Sequence, residues 1–433
     1  MEGWGIVRIL PDGLTGALMA AEGIKDARAI LHGPGGCRLF FMHCSVSAFP
    51  RMGSSGTAEY NIPFFFGQSR IPSSYLDEQD YINGAYGKIT EVLPVVSSKG
   101  AELFVIVNSP GAALIGDNHP KAIRSCGLEN KAMFVDESLI SIPFTAGYDH
   151  MLTSIMAYLH PPKKLKIPKT VNLIGLSIMD KDWMSAKSGL TELLEAMGLQ
   201  VTSCPGAGCT IQELHDSVSA ELNVVVCPEM CSKLVQFYKN NYGIPFCKGP
   251  MGAPIGFAPI KKWLTTVAEM TNADPQPALE IVRSHEGRVF NKFIGFPNES
   301  SRLRGMTMSV AAPASVARAL TEWLYDYIGF IPITVLADPG SDPSESELLR
   351  IFLSDHGLTD SWNKELSAQA EVTFCDHNTA EILSVKRSSG ITLDIGAGSN
   401  SQTGILPRPI YGPMGALHIL DEIICNLRRS ESN

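Results

Sequence analysis

An alternation of short apolar runs with amphipathic segments between residues 170 and 250 is the feature that most constrains the fold. The apolar runs have the length of buried strands, and the segments between them have helical spacing. Thr210 and Glu213 form the pattern of a capping box at the start of one such segment. Strands that alternate with helices pair in parallel, with helices on both faces of the sheet. The predicted strands are 171–176, 200–203, 223–226 and 244–247, and the predicted helices are 186–197, 210–220 and 228–240.

Two further units of the same kind flank this one. Before it, we predict a helix and a strand over 12–32, irregular structure over 38–75, a helix over 77–95 and a strand over 103–107. After it, we predict strands at 306–311, 333–336, 371–374 and 392–395 and helices at 314–328, 345–352 and 412–425. The chain is therefore expected to be an α/β protein with three doubly wound, Rossmann-like parallel-sheet domains, over 1–165, 166–290 and 291–433.

Size and composition exclude several classes of protein. A chain of 433 residues is too long for one ordinary domain, and its net charge of −9 argues against a nucleic-acid partner. No apolar run approaches the roughly 20 residues of a membrane helix, and the first residues do not resemble a signal peptide. We expect a cytoplasmic protein with no membrane partner. Its ten cysteines are then core residues or metal ligands, and not a disulfide framework.

The stretch from Ile30 to Cys37 is the first candidate for chemistry. A short apolar run leads into Gly-Pro-Gly-Gly, which allows a tight turn and close approach to a bulky group, and Cys37 ends the turn. A thiol on such a turn, between a strand and a helix, is well placed to hold an iron–sulfur cluster. The alternative is a tight turn followed by a buried, inert cysteine.

Five short motifs follow one another in a defined order. They are His-Gly-Pro-Gly-Gly-Cys at 32–37, Leu-Asp-Glu-Gln-Asp at 76–80, Ile-Gly-Asp at 115–117, a strand with Cys227 followed by Tyr-Gly-Ile-Pro at 242–245, and Gly-Pro-Met-Gly-Ala at 412–416. In this order and spacing, the chain resembles the component 1 proteins of nitrogenase and of nitrogenase-like reductases. These include subunits of dark-operative protochlorophyllide reductase, chlorophyllide reductase and nickel-sirohydrochlorin diamide reductive cyclase.

The resemblance implies three doubly wound α/β domains around a central cavity. It also implies a subunit that receives electrons from a separate, ATP-dependent iron–sulfur reductase protein. The other implied partners are a sister component 1 subunit or a second copy of this chain, and a small-molecule substrate. The sequence has no phosphate-binding glycine loop, so ATP hydrolysis is assigned to another chain.

By this resemblance, Cys37 matches a cysteine that binds a four-iron, four-sulfur cluster at a subunit interface. The cluster-forming subunits supply two more cysteines, one near Asp12 and one where this chain has Ser109 and Pro110. A single thiolate does not hold such a cluster, which takes about four ligands. Three possibilities stay open: a partner supplies three ligands, a homodimer uses two Cys37 thiolates with neighbours such as Asp12 or Cys44, or the cluster is absent.

Cys227 matches the cysteine that holds the larger catalytic metal cofactor in nitrogenase itself. The histidine that completes that attachment falls on Gln402, which disfavours dinitrogen and favours a tetrapyrrole or another unsaturated substrate. From its place between a strand and a helix, we expect the helix dipole to lower the pKa of the Cys227 thiol. Cys231, four residues on, is expected on the same helix face. The pair binds metal, is redox-active, or packs in the core.

Three histidines are candidates for proton delivery, because imidazole titrates near neutral pH. His377 follows a predicted strand, where side chains often face a site, and with Gln402 it is a candidate catalytic residue. His43 and His119 are the other two. The alternative role for each histidine is solvation or helix capping.

We therefore predict a subunit of a nitrogenase-like oxidoreductase. A cluster bound at Cys37 would relay electrons to a substrate in a cavity lined by Cys227 and Gln402. One alternative is a scaffold on which a metal cluster is assembled before transfer. The other is a structural subunit that binds no cluster.

Overall fold

The computed structural model describes residues 8–49, 70–98, 100–295, 301–363, 365–366, 369–386, 390–396 and 405–431. These residues form three β-sheets, all of whose strand pairs are parallel, with helices packed against them. The predicted α/β fold class is confirmed. None of the helices in these ranges is both long and apolar enough to cross a membrane.

The first sheet has three strands in the order β1-β2-β3. They are β1 (Ala27–His32), β2 (Leu103–Asn108) and β3 (Ala132–Val135). The helices of this unit are α1 (Gly13–Glu22), α2 (Arg38–Ala48), α3 (Glu78–Asn83), α4 (Tyr86–Ser97), α5 (Pro110–Ile115), α6 (His119–Ser125) and α7 (Phe144–Leu159).

Two predictions for this unit are wrong. The sequence predicts irregular structure over 38–75, whereas α2 occupies its first eleven residues. Phe41, Cys44 and Ser45 form the buried side of that helix, so tertiary packing stabilises it. The single helix predicted over 77–95 is two helices, α3 and α4. Gly84 lies between them with φ of 89°, a left-handed conformation that ends a right-handed helix.

The second sheet has four strands in the order β5-β4-β6-β7. They are β4 (Thr170–Ile174), β5 (Gln200–Ser203), β6 (Leu222–Val225) and β7 (Phe246–Cys247), and the helices are α8 (Trp183–Ala196), α9 (Ile211–Asp216), α10 (Ser232–Tyr242), α11 (Phe257–Thr271) and α12 (Gln276–Gly295). The predicted capping box at Thr210 and Glu213 is confirmed at the start of α9. The helix predicted over 228–240 instead begins as a 3₁₀ turn, Pro228–Met230, before α10.

The third sheet has four strands in the order β11-β10-β8-β9. They are β8 (Thr307–Ala312), β9 (Ile331–Ala337), β10 (Val372–Cys375) and β11 (Ile391–Asp394), and the helices are α13 (Ala314–Ile328), α14 (Pro343–Asp355), α15 (His377–Lys386) and α16 (Gly412–Glu431). α16 packs against α8, α11 and α12 as well as β11, so it joins the second and third sheets. The domain limits stay predictions, and residue 290 lies inside α12.

Close backbone contacts at glycines occur within the first unit and between the first and second units. A Cβ at Gly16 of α1 would lie 2.1 Å from the carbonyl oxygen of Phe144 in α7, and a Cβ at Gly147 would lie 2.0 Å from that of Gly13. The loop after β5 contacts the end of α1 in the same way, where a Cβ at Gly23 would lie 1.8 Å from the carbonyl oxygen of Gly206. Only glycine allows such close approach.

Candidate functional site

The carboxyl ends of β1 and β2 carry the two loops on which the sequence predictions converge. His32 and Asn108 are paired at the ends of these parallel strands, so the loops that follow leave the same edge of the sheet. One loop runs from Gly33 to Cys37, and the other begins at Ser109. A Cβ at Gly33 would lie 2.7 Å from Ser109 Oγ, so the loops are in contact.

Cys37 is exposed and stands at the residue before α2. The neighbouring Gly36 has open space around the position of a Cβ, whereas the ring of Tyr75 lies against Gly35. Tyr81 lies close by, with its hydroxyl hydrogen-bonded to Ser109. Burial, and then the charge of Cys37, raise the pKa of Tyr81. The thiol is therefore accessible to a second polypeptide.

Exposed apolar side chains lie on the segments that adjoin this loop, and we call them the Cys37 patch. They come from the first turn of α2, from the 73–77 segment, and from α3 and α5. Two of them, Ile82 and Leu114, are 76% and 89% exposed. Exposed apolar surface gathered in one place marks a contact with another molecule. The members of the patch are Leu39, Phe40, Tyr75, Tyr81, Ile82 and Leu114.

A buried histidine, His32, holds the base of the Cys37 loop through hydrogen bonds. His32 Nδ1 lies 2.8 Å from Ser74 Oγ, and its Nε2 lies 3.1 Å from a carboxylate oxygen of Asp117. Ser74 Oγ accepts a hydrogen bond from the Gly33 N–H, and the Asp117 carboxylate accepts one from the Ala85 N–H. Burial lowers the pKa of His32, so the imidazole is neutral at pH 7. This network connects the loop to the end of β1, to the segment around Ser74, to Ala85 before α4 and to Asp117 after α5.

The remaining candidate cluster ligands of this chain have other roles. Asp12 Oδ1 accepts hydrogen bonds from the N–H and the hydroxyl of Thr15, both at 2.8 Å, and so caps α1. Cys44 is buried, and Ser109 caps α5. Across the described ranges, no three His, Cys, Asp or Glu side chains gather as a metal site. One exposed thiol, Cys37, fits a cluster shared with another chain, and the described residues alone do not supply the other ligands.

Cys227 lies at the carboxyl end of β6 in a different environment. The residue is 2% exposed, and its thiol donates to a Glu229 carboxylate oxygen at 3.2 Å. Ser315, from the start of α13, donates to the same oxygen at 2.6 Å, and the Tyr411 hydroxyl is hydrogen-bonded to the sulfur. Burial, and then the charge of Glu229, raise the pKa of the Cys227 thiol well above its usual value.

The expected lowering of the Cys227 pKa is therefore wrong. The cause is the position of Cys227. Helix α10 begins five residues later, and burial raises the pKa of the thiol by more than any helix dipole lowers it. Cys231 does not share a helix face with Cys227; it precedes α10, and its thiol donates to the Cys227 carbonyl at 3.4 Å. The role of Cys227 as a metal ligand stays a prediction, since metal binding itself removes the proton from a thiol. Gln402 lies outside the described residues.

Four residues of this buried cluster were not found from the sequence. Asp180 follows β4, which neighbours β6, and burial raises its pKa to about 7. Glu229, Ser315 and Tyr411 complete the set, with burial raising the pKa of Glu229 as well. They come from distant parts of the chain, so no local pattern connects them. The available signal was that Asp180, Glu229 and Ser315 each lie a few residues after a parallel strand.

The carboxyl edge of the third sheet is held by the N-terminal segment. Arg8 bonds Asp338 after β9 and Asp376 after β10, at 2.5 and 3.0 Å. His377 follows Asp376, and its Nδ1 lies 3.6 Å from an Asp394 carboxylate oxygen. Its role in catalysis stays a prediction. Arg8 is a further residue that the sequence did not single out, because its partners lie more than 300 positions away.

Comparisons with known proteins agree with this architecture. A family model described as nitrogenase component 1 type oxidoreductase matches residues 13–427. A subunit of the light-independent protochlorophyllide reductase of Prosthecochloris aestuarii is 20% identical over 264 residues, which cover 60% of this chain but only 45% of that protein's length. The nitrogenase iron-molybdenum cofactor biosynthesis protein NifE of Methanococcus maripaludis is 22% identical over 399 residues, covering 84% of this chain and 76% of that protein.

The solved structure of nitrogenase Cp1 at pH 6.5 superimposes on the chain with a TM-score of 0.78. The match covers 99% of this chain and 95% of that one at 15% identity, so it shows a common fold. The family model and the fold match nearly the whole length of the chain. The chain belongs to the nitrogenase component 1 type oxidoreductase family.

Proposed function

We propose that the chain is an electron-relaying subunit of a nitrogenase-like reductase, in which Cys37 is one ligand of a four-iron, four-sulfur cluster shared with a second chain. The observation that carries the proposal is an exposed thiol on a glycine-rich loop whose adjoining segments carry the Cys37 patch. When bound there, the cluster would supply one-electron transfer. The electrons would come from an ATP-dependent iron–sulfur reductase protein.

Three features of the chain support this role for the Cys37 loop. The glycines let the loop turn tightly beside Ser109, and the His32 network holds its base. Docking a second chain on the Cys37 patch would remove Leu114 and its neighbours from water and exclude solvent around the thiolate. The second chain, a sister component 1 subunit or another copy, would then contribute the missing ligands. The substrate we propose is an unsaturated small molecule such as a tetrapyrrole.

A second candidate function is favoured by one specific observation. The relative described as a cofactor biosynthesis protein matches 84% of this chain, against 60% for the reductase subunit. A scaffold of this kind would hold a metal cluster at the Cys37 patch and release it to an acceptor. Neither proposed function requires a step at Cys227.

Anaerobic iron analysis with electron paramagnetic resonance tests both functions. The chain is purified alone and with the protein encoded beside it, and a Cys37→Ser variant is compared with Cys425→Ser. Cys425 is the matched control, because it is the other exposed thiol in the described residues and lies on α16. We expect a dithionite-reducible four-iron signal that Cys37→Ser loses and Cys425→Ser keeps.

The two candidate functions predict different fates for the bound iron. Substrate reduction that depends on an added iron–sulfur reductase supports the electron relay. Iron that passes to an acceptor protein without turnover supports the scaffold. Iron missing from both preparations, or iron that survives Cys37→Ser, overturns the proposed cluster site.

A further inference from the structure

Three elements meet next to the buried Asp180. Helix α16 packs against both α8 and β11. Asp182 caps α8, where its carboxylate accepts the Ser185 N–H at 3.4 Å, and Lys181 directly precedes that cap. Asp394 is the last residue of β11. The start of α8 and the end of β11 therefore adjoin α16 at the carboxyl edges of two parallel sheets, which is where such sheets bind ligands.

Lys181 brings a positive charge to this place. Its side chain is part-buried, and its ammonium donates to the Asp394 carbonyl oxygen at 3.1 Å. Among the described residues, no carboxylate lies within ion-pair distance of this ammonium. An ammonium has three N–H donors, so donors beyond the one used here are available to a ligand.

His418, which is on α16, lies close to that charge. Burial, and then the charges of Lys181 and Arg408, lower the pKa of His418 to about 3, so its imidazole is neutral at pH 7. Neither of its ring nitrogens is sealed from solvent, and neither bonds to another side chain in the described ranges. A neutral imidazole carries one N–H donor. An available donor therefore stands beside an available cation.

Arg408 joins these groups from the segment before α16. Its backbone N–H donates to the Asp182 carboxylate at 2.6 Å, which connects this segment to the start of α8. Its guanidinium pairs with Glu422 of α16 at 3.0 Å. The Asp394 carboxylate, in turn, lies 3.6 Å from Nδ1 of His377. The nearby acidic side chains thus have partners of their own.

We propose that Lys181, His418 and Arg408 form a subsite for a carboxylate group of the substrate. The inference rests on the proposed function and narrows its substrate class to unsaturated molecules, such as tetrapyrroles, that carry an acidic side chain. The bound carboxylate accepts from the ammonium and the imidazole N–H, and its charge offsets the two cations. The charge of Asp180 acts on the Cys227 thiol, so a substrate held beside Lys181 lies next to the buried cluster around Cys227.

Equilibrium binding of a tetrapyrrole diacid to the iron-free full chain tests the subsite. The probe is protoporphyrin IX, which has two carboxylates, and its dimethyl ester is the matched ligand without negative charge. Both are titrated in the same detergent buffer and followed by porphyrin fluorescence anisotropy. Lys181→Gln removes the cation, and Lys181→Arg keeps it. Lys262→Gln, at an exposed lysine of α11, is the matched control, and circular dichroism verifies that each variant is folded.

We expect the wild type, Lys181→Arg and Lys262→Gln to bind the diacid at least about tenfold more tightly than the ester. Lys181→Gln should lose most of this preference by weakening diacid binding alone. His418→Gln, which keeps a side-chain N–H, should retain more of the preference than His418→Leu.

Three results would overturn the subsite. They are no binding of either porphyrin, equal affinity of the wild type for diacid and ester, and a preference that Lys181→Gln leaves unchanged. Inorganic phosphate distinguishes a substrate carboxylate from a free oxyanion. If millimolar phosphate displaces the diacid completely, the three residues bind free oxyanions, and the assignment to the substrate is wrong.

This measurement separates the subsite from the function on which it rests, because it needs no iron. If iron binding at Cys37 fails while the diacid preference depends on Lys181, the electron relay is wrong and the subsite stands. If Cys37 binds iron and the ester binds as tightly as the diacid, the relay stands and the subsite is wrong.

Discussion

Asp180 makes a quantitative prediction about stability and pH. Its carboxyl group is buried at the carboxyl edge of the second sheet, where one oxygen accepts the Ser177 N–H at 2.8 Å. Burial raises its pKa to about 7 from an ordinary value of 3.8. The folded chain therefore keeps a proton that the unfolded chain has already lost between those two pH values. We consider the substitution Asp180→Asn, which preserves size and the acceptor oxygen and removes the titration.

The sign of the effect follows from the number of bound protons. Between about pH 4 and pH 7 the folded state binds more protons at Asp180, so the free energy of unfolding falls as pH rises. The stabilising contribution is fully present below the unfolded pKa and is lost as pH rises through the folded pKa. A shift of about three units corresponds to about 4 kcal/mol in total, of which about 2.6 kcal/mol falls between pH 5 and pH 8.

Urea unfolding of the wild type and Asp180→Asn at pH 5 and pH 8 measures this term. The wild type should lose about 2.6 kcal/mol more than the variant between the two conditions. Taking the difference between the proteins removes the contributions of other buried acids such as Glu229, provided that the new amide leaves the fold intact. Asp355→Asn, at the exposed end of α14, is the control and should follow the wild type. An Asp180→Asn variant with the wild-type pH dependence would refute the burial argument.

Two further predictions concern helix packing and thiol chemistry. Gly16→Ala should lower the free energy of unfolding by about 2–3 kcal/mol, because its Cβ would lie 2.1 Å from a carbonyl oxygen of α7. Gly87→Ala, in α4 with open space around it, should raise the free energy of unfolding by about 0.5–1 kcal/mol. Urea unfolding measures both variants. Equal effects of the two substitutions would contradict the close packing of α1 on α7. In the native chain, iodoacetamide should modify Cys37 and Cys425, and Cys227 only after unfolding, since burial keeps that thiol protonated. Mass spectrometry checks this, and equally fast native modification of Cys227 contradicts it.

Predictions of helix limits and caps were correct where short-range contacts decide the structure. The helix Ala314–Ile328 is predicted with the same limits that the structure has, because its apolar face and flanking Pro313 and Gly329 are all local signals. The capping box of Thr210 and Glu213 is another such case. The exposed position of Cys37 after β1 also agrees with the sequence interpretation.

Predictions failed where distant residues decide. Helix α2 looked irregular because its buried side, including Phe41, is stabilised by other elements and not by its own propensity. The pKa of Cys227 was predicted in the wrong direction, because burial by distant parts of the chain, and then the charge of Glu229, raise the pKa of a thiol that the sequence places simply at a strand end. Motif matching found the thiols but gave no information about their solvation.

The sequence alone determined the alternation of strands and helices between Thr170 and Cys247, the parallel pairing that follows from it, and the family to which the motifs point; β3, α7, α11 and α12 were not predicted. Periodicity and turn residues act over a few positions, so they can be recognised in the sequence without a structure. Only the tertiary structure decided which thiol is available for chemistry. Cys37 and Cys227 both follow parallel strands, but one is left in solvent and the other is enclosed by a carboxyl group and a hydroxyl from other parts of the chain. Burial and charge around a side chain are sums over the whole fold, and no local stretch of sequence contains them.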